Sequence, residues 1–440
     1  MKRLKYSELI KWKSSPKRKP LILEGARQVG KTFLVNQFAK NEYSDLVYLN
    51  FEHNPNLKSL FEESLDPHTI LRNINLLTGK KAEANKSLIF FDEIQVLPVV
   101  LTSLKYFFEQ APEYHIIAAG SLLGVSINKQ NSFPVGKVNF MRLYPMNFAE
   151  FLLARGNELI LNELNNKDDF YAIPEALHDK LNRELKTYLF LGGMPEVVQD
   201  YINNSDIVSA REIQKDILMA YQHDFSKYTS KSQTMKTAEF WKSVPYQISK
   251  ENKKFKYKDV KKNARASTYE QTIEWLNSAG LINISYNVST PKIPLSAYAD
   301  YSKFKVFMLD TGLLGAMLDV SSEIILQPTA IFSEYNGAFI ESFVASELKA
   351  ANYEALFYWT SKSEAEVDFI MQYSNTIIPL EVKSGMSRKL KSLKSYTDKY
   401  SPDLAIRISP RNFSNADSFV NIPLYSVFAI FNYLKLFKSN

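Results

Sequence analysis

Apolar residues are distributed along the chain in two rhythms. Short unbroken runs, Leu21–Leu23, Leu88–Phe91 and Ile116–Ala119, are too brief for core helices and predict buried parallel strands. Between the first two, Phe33–Ala39 has the three-to-four spacing of an amphipathic helix. From about Pro145 to Tyr228 the rhythm turns helical, most clearly over Phe148–Ala154 and Leu181–Leu191, and Gly192-Gly193 with Pro195 marks a sharp stop. Residues 230–290 read helix, turn, helix, strand. Further on, Phe304–Leu314 predicts a strand, a turn and a helix start with Asp310 as its cap. Glu366–Met371 and Pro379–Gly385 predict two alternating strands, preceded by a helix ending near Leu348 and followed by one from Leu390 to Tyr400.

The first strand leads into Gly25, Ala26, Arg27, Gln28, Val29, Gly30, Lys31 and Thr32, a G-x(4)-G-K-[ST] phosphate-binding loop. Backbone N–H groups of a glycine-rich turn opening a helix can surround a triphosphate, which makes ATP the expected ligand. Lys31 is expected on the β- and γ-phosphates and Thr32 on Mg²⁺, with Gly25 and Gly30 supplying permissive backbone and Phe33 following in the helix. Sixty residues on, the strand over 87–91 ends in Asp92-Glu93. Asp92 is the candidate Mg²⁺ ligand and Glu93 the candidate for preparing the attacking water. Ser121, after the third strand, reads either as a sensor of the γ-phosphate or as a helix cap.

Composition narrows the class. The chain has 440 residues, enough for two to four domains, and 45% hydrophobic residues, enough for folded cores. It has no cysteine, and His53, His68, His115, His178 and His223 are scattered, which excludes thiolate sites and argues against zinc. A formal net charge of +7 is compatible with nucleic acid without requiring it. The charged first residues and the lack of any run of about eighteen apolar residues lead to an expected cytoplasmic location without a membrane partner.

These motifs in order, with Ala119–Gly124, Arg142–Phe151 and Tyr188–Glu196, resemble the AAA+ superfamily of P-loop ATPases, in particular the prokaryotic, archaeal-ATPase-like group whose core precedes a domain of unknown function. The resemblance implies a helical lid that the Gly-Gly-Met-Pro motif closes towards the nucleotide, although the same residues serve as a plain helix stop. It also implies a ring-forming homo-oligomer in which one subunit lends a cation to its neighbour's γ-phosphate. Lys137 and Arg142 are candidates for that cation, or ordinary surface charges.

Lys261, Lys262 and Arg265 stand just before the second helix of the 230–290 region, in the order of a winged helix-turn-helix. Phosphate contacts by these cations fit DNA binding; Glu270 and Glu274 on the helix fit a protein-interaction module better. In the last third, Asp368, Glu381 and Lys383 fall on the two alternating strands, and Glu341 lies on the preceding helix. The pattern resembles PD-(D/E)XK restriction-endonuclease-like domains, with Val367 where a proline is usual. The resemblance implies Mg²⁺ on Asp368, Glu381 and Glu341, with Lys383 positioning a water. An ion pair on an ordinary sheet and a nuclease fold kept only for binding are the alternatives. The expected architecture is therefore α/β: a P-loop parallel sheet (1–145), a helical lid (146–229), a winged helix-turn-helix (230–295) and a nuclease-like domain (296–440).

Overall fold

The structure is a computed structural model that describes residues 1–121, 134, 136–250, 254–321, 336–361, 365–385, 390–416 and 418–437. The chain forms two compact units, Met1–Tyr144 with Ser278–Gly280, and Pro145–Asn277 with Leu281–Asn440. Among the described residues no helix is long and apolar enough to cross a membrane.

The first unit is built on a parallel sheet of β1 (Leu21–Glu24), β2 (Asp45–Asn50), β3 (Ser87–Asp92), β4 (His115–Ala119) and β5 (Asn139–Arg142), in the order β2-β3-β4-β1-β5. All residues of β3 and β4 are buried, which is why Leu88–Phe91 and Ile116–Ala119 within them are unbroken apolar runs; the edge strand β2 alternates. The helix Lys31–Glu42 follows β1, and Pro67–Thr78 and Val99–Gln110 pack with the sheet around a core that includes Ile22, Val47, Phe91, Leu104 and Phe107. Pro67–Thr78 has a full set of end signals: the Asp66 side chain accepts from Thr69 N–H at 2.7 Å, proline opens the first turn, and Gly79 closes the helix in the left-handed conformation.

The second unit carries an eight-stranded mixed sheet in the order β12-β13-β11-β10-β9-β8-β6-β7. Its strands are β6 (Ile282–Val288), β7 (Asp300–Met308), β8 (Leu356–Thr360), β9 (Glu366–Tyr373), β10 (Thr376–Val382), β11 (Ile406–Ser409), β12 (Ser414–Ala416) and β13 (Phe419–Pro423). The two alternating strands of the sequence are β9 and β10, an antiparallel hairpin with Phe369 opposite Leu380. The strand expected after the two helices of the 230–290 region is β6. It pairs antiparallel with β7 and parallel with β8, so it belongs to the same sheet as the acidic strands. A pattern of alternation fixes which residues face a core but not which neighbour a strand selects.

The helix stop at Gly192-Gly193 is a junction of close backbone approaches. Met146 N–H donates to Gly193 O at 2.7 Å, and Gly193 N–H donates to the Asp310 carboxylate at 2.6 Å. A Cβ on Gly193 would lie 1.9 Å from Met146 O, and Gly192 has φ +71°. Asp310 caps the helix Thr311–Met317 through Leu313 N–H, as its position in the sequence suggests, and ties that cap to the glycine turn. Gln214 accepts from Arg211 and donates to Phe190 O and Leu191 O, so the end of the helix Glu175–Leu191 is satisfied by side chains. Burial pushes the Asp310 carboxyl up to about 6 against the N–H bonds it receives.

A second buried acid, Glu347, accepts from Phe148 N–H at 2.8 Å at the start of the helix Phe148–Ala154, beside the capping box of Asn147 and Glu150. Burial pushes its carboxyl up to about 8.

Gly193→Ala forces a Cβ onto a backbone carbonyl that cannot retreat without breaking the Met146 bond, and it should destabilise the chain by about 3 kcal/mol in urea unfolding; a variant with wild-type stability contradicts the close approach. Glu347 gives a pH dependence. A carboxyl raised from 4.5 to about 8 favours the folded chain when protonated, a contribution complete below pH 4.5 and lost as pH rises through 8. Glu347→Gln keeps the acceptor for Phe148 and cannot ionise, so it should gain on the wild type between those pH values, by at most about 1.4 kcal/mol per pH unit. Parallel stability curves for the two proteins would contradict a buried, ionisable Glu347.

Candidate functional site

The phosphate loop joins β1 to the helix Lys31–Glu42. Gly25 has φ +148°, and a Cβ there would lie 2.2 Å from Leu143 O, while Gly30 caps the helix in the left-handed region. Gln28 also has a positive φ, 66°, which costs a non-glycine residue energy and marks a loop held by its surroundings. Part of that hold comes from Arg3, whose guanidinium donates to Val29 O and Tyr144 O, each at 2.6 Å. The buried Lys31 ammonium donates to Gly25 O and Ala26 O at 2.9 and 2.8 Å. Burial pushes it down to about 8, against the pull of Glu93 and Asp92. Ala26 and Val29 are buried in the loop, Arg27 is half-buried, and Phe33 is exposed on the first helical turn.

Strand order brings the second motif to the first. β4 lies between β1 and β3, and their carboxyl ends lie side by side, the usual place for a ligand in an open parallel sheet. Thr32 Oγ1 donates to Asp92 Oδ2 at 2.9 Å, and Tyr48 Oη donates to the same oxygen at 3.0 Å. Burial raises the Asp92 carboxyl above its ordinary range, and the bonds from Thr32 and Tyr48 pull the other way. Glu93 adopts φ 56°, ψ 40°, a left-handed conformation rare for glutamate, and its carboxylate accepts from Gln95 Nε2. Ser121 is buried two residues beyond the end of β4; Leu122–Gly124 lie outside the described residues. Thr32 and Asp92 side by side fit one Mg²⁺ whose remaining oxygens come from phosphate and water.

Of the two candidate finger cations, Lys137 pairs with Glu109 at 3.0 Å and Arg142 with Glu24 at 3.2 Å. Both pairs lie within the first unit.

In the second unit, the segment from Lys256 to Arg265, which includes the short helix Tyr257–Val260, exposes Lys256, Lys258, Lys261, Lys262 and Arg265 before the helix Ala266–Ser278; Lys261 also pairs with Glu239 at 2.9 Å. Glu270 and Glu274 are exposed on that helix.

The sheet of the second unit gathers the C-terminal acids. Asp368 on β9 accepts from Val382 N–H at 2.8 Å, and Lys383, just past β10, donates to Glu381 at 2.6 Å. Burial raises the Glu381 carboxyl, although Lys383 opposes it. At the centre is Lys305 of β7, wholly buried, with its ammonium 2.5 Å from Glu366, 3.6 Å from Glu341 and 4.0 Å from Asp368. Burial alone would lower this ammonium, but Glu341, Glu366 and Asp368 together outweigh it and raise it. Of the acids expected to hold Mg²⁺, Asp368 and Glu341 thus face Lys305, and Glu381 pairs with Lys383. Among the described residues no group of three or more histidine or acidic side chains is placed to hold a metal ion.

Three residues with clear contacts escape a reading of motifs: Arg3, Tyr48 and Lys305. Lys305 leaves a trace, since an ammonium inside the apolar strand Phe304–Met308 must find carboxylates if the strand is buried.

Comparison with protein families matches residues 17–152 to an AAA domain, residues 182–324 to a domain of unknown function (DUF8612) and residues 336–427 to another (DUF4143). Comparison with curated proteins gives no match. Among solved structures, a Walker-type ATPase of Pyrococcus abyssi is similar at 14% identity and TM-score 0.45, over 72% of this chain and 95% of its own. The ORC1 protein of Aeropyrum pernix, in complex with DNA, is similar at 11% and 0.30, over 74% and 95%, and Cdc6p of Pyrobaculum aerophilum at 13% and 0.26, over the same shares. Scores this low carry no argument about this chain. The AAA match is different in kind, for it spans all five strands of the parallel sheet and both phosphate-site motifs. Residues 17–152 match an AAA domain, and that span holds the phosphate loop and Asp92-Glu93.

Proposed function

We propose that the chain binds ATP with Mg²⁺, hydrolyses it, and couples its nucleotide state to nucleic-acid binding by the second unit. The observation that carries the first part is the contact of Thr32 with Asp92 beside a preformed lysine cradle. Backbone N–H groups of the loop receive the phosphates, and Lys31 exchanges two carbonyls for phosphate oxygens without crossing open water. The metal neutralises charge on the β- and γ-phosphates when bound; Thr32 and Asp92 hold it. Glu93 orients the attacking water and takes its proton, and Gln95 sets the direction of that carboxylate. Ser121 senses the γ-phosphate from the end of β4.

The cations from Lys256 to Arg265, with a helix behind them and the β6–β7 hairpin after it, support a winged-helix reading and contact with DNA phosphates. A second reading takes the chain as a nucleotide-gated switch that docks a protein, with a C-terminal nuclease-like fold that is catalytically silent. The internal pairing of the acid cluster with Lys305 favours that silence. A homo-oligomeric ring remains part of the proposal only if Lys137 or Arg142 leaves its present partner.

Lys31→Ala should weaken ATP binding by at least roughly 30-fold, and Glu93→Gln should keep binding while slowing hydrolysis by about 10²–10⁴-fold. Wild-type turnover in either variant would remove the assignment. Binding to a DNA duplex should weaken steeply with salt, and Lys262→Ala and Arg265→Ala should each lower the slope of log affinity against log salt by about one. No association at low salt would select the docking reading instead.

A further inference from the structure

We propose that the Lys305 ammonium is the permanent cation of the C-terminal carboxylate cluster and keeps divalent metal ions out of it. The inference stands apart from the ATPase reading, since every residue involved lies in the second unit.

Lys305 sits opposite Ser285 of β6 and has no exposed surface, so its side chain cannot turn to water while β7 stays in the sheet. Its ammonium is placed over the Tyr358 ring at 5.0 Å, a face that attracts a cation. Three carboxylates converge on it from two elements, Glu341 from the helix Asn336–Ala350 and Glu366 and Asp368 from β9. A fourth acid, Glu381, is already engaged by Lys383, and the second oxygen of Asp368 is engaged by Val382 N–H.

A magnesium or manganese ion bound by these acids would need their oxygens at about 2.0–2.2 Å, and so would have to enter the space between carboxylates that already lie within 2.5–4.0 Å of the ammonium. Two cations cannot share that space, and a neighbouring one would be repelled in an interior with little screening. Lys305 cannot leave while β7 stays in the sheet, so its charge offsets part of the cluster from within, and Lys383 offsets a further part at Glu381. The pattern of Asp368, Glu381 and Lys383 is then not enough to predict metal chemistry in this chain.

The test is Mn²⁺ titration of the full chain without nucleotide, read by electron paramagnetic resonance. Wild type and Asp368→Asn should bind the same number of ions. Lys305→Ala should gain about one Mn²⁺ per chain, lost again on adding Asp368→Asn, and Mn²⁺ should raise the melting temperature of Lys305→Ala but not of the wild type. Because Lys305→Ala strands three carboxylates in the interior, the same titration on Lys305→Gln with Glu366→Gln, which removes one charge of each sign, guards against loss of folding. A wild-type Mn²⁺ site that disappears in Asp368→Asn overturns the proposal, as does the absence of a gained site in the folded Lys305 variants.

Discussion

A charge taken out of water must be answered by nearby polar atoms, and this constraint shapes each informative region of the chain. Lys31 is answered by two loop carbonyls, Asp92 by two hydroxyls, Asp310 by backbone N–H groups and Lys305 by carboxylates. The answers differ in kind. Carbonyls release an ammonium to a stronger anion without leaving it bare, whereas a ring of carboxylates around a lysine on an interior strand holds it in place. The first arrangement suits a ligand site and the second a closed ion cluster.

The phosphate site shows how much backbone is committed to that purpose. Gly25 is required by the approach of Leu143 O, and Gln28 and Glu93 hold left-handed conformations that their side chains do not favour. Such strain persists where the surroundings over-determine it, and here they include Arg3 from the chain's first residues. Tyr48 makes a related contribution from the edge strand: it donates to the same Asp92 oxygen as Thr32, so two hydroxyls hold that acid in direction.

Much of the first unit was legible in the sequence because it is local. The strands that precede Gly25 and end at Asp92 are continuous apolar runs, the helix after Lys31 has its spacing, and the loop motif is contiguous. In the second unit the hairpin of β9 and β10 and the capping role of Asp310 were equally readable, because alternation and caps act within a few residues. The attachment of β6 to β8 was not, since it joins segments about seventy residues apart and leaves no mark on either. The meeting of Lys305 with the C-terminal acids was unreadable for the same reason: the acids were visible, but the lysine comes from a strand about sixty residues before Glu366 and Asp368.

The sequence by itself therefore determined the phosphate loop, the acid pair that follows it, the buried strands and the helix ends, all of which arise from neighbours in the chain. Only the tertiary structure decided which charges meet. Sheet order placed Asp92 beside Thr32, and strand register placed Lys305 among Glu341, Glu366 and Asp368. Pairing between distant strands is selected by the packing of whole faces, and periodicity records the face without recording the partner.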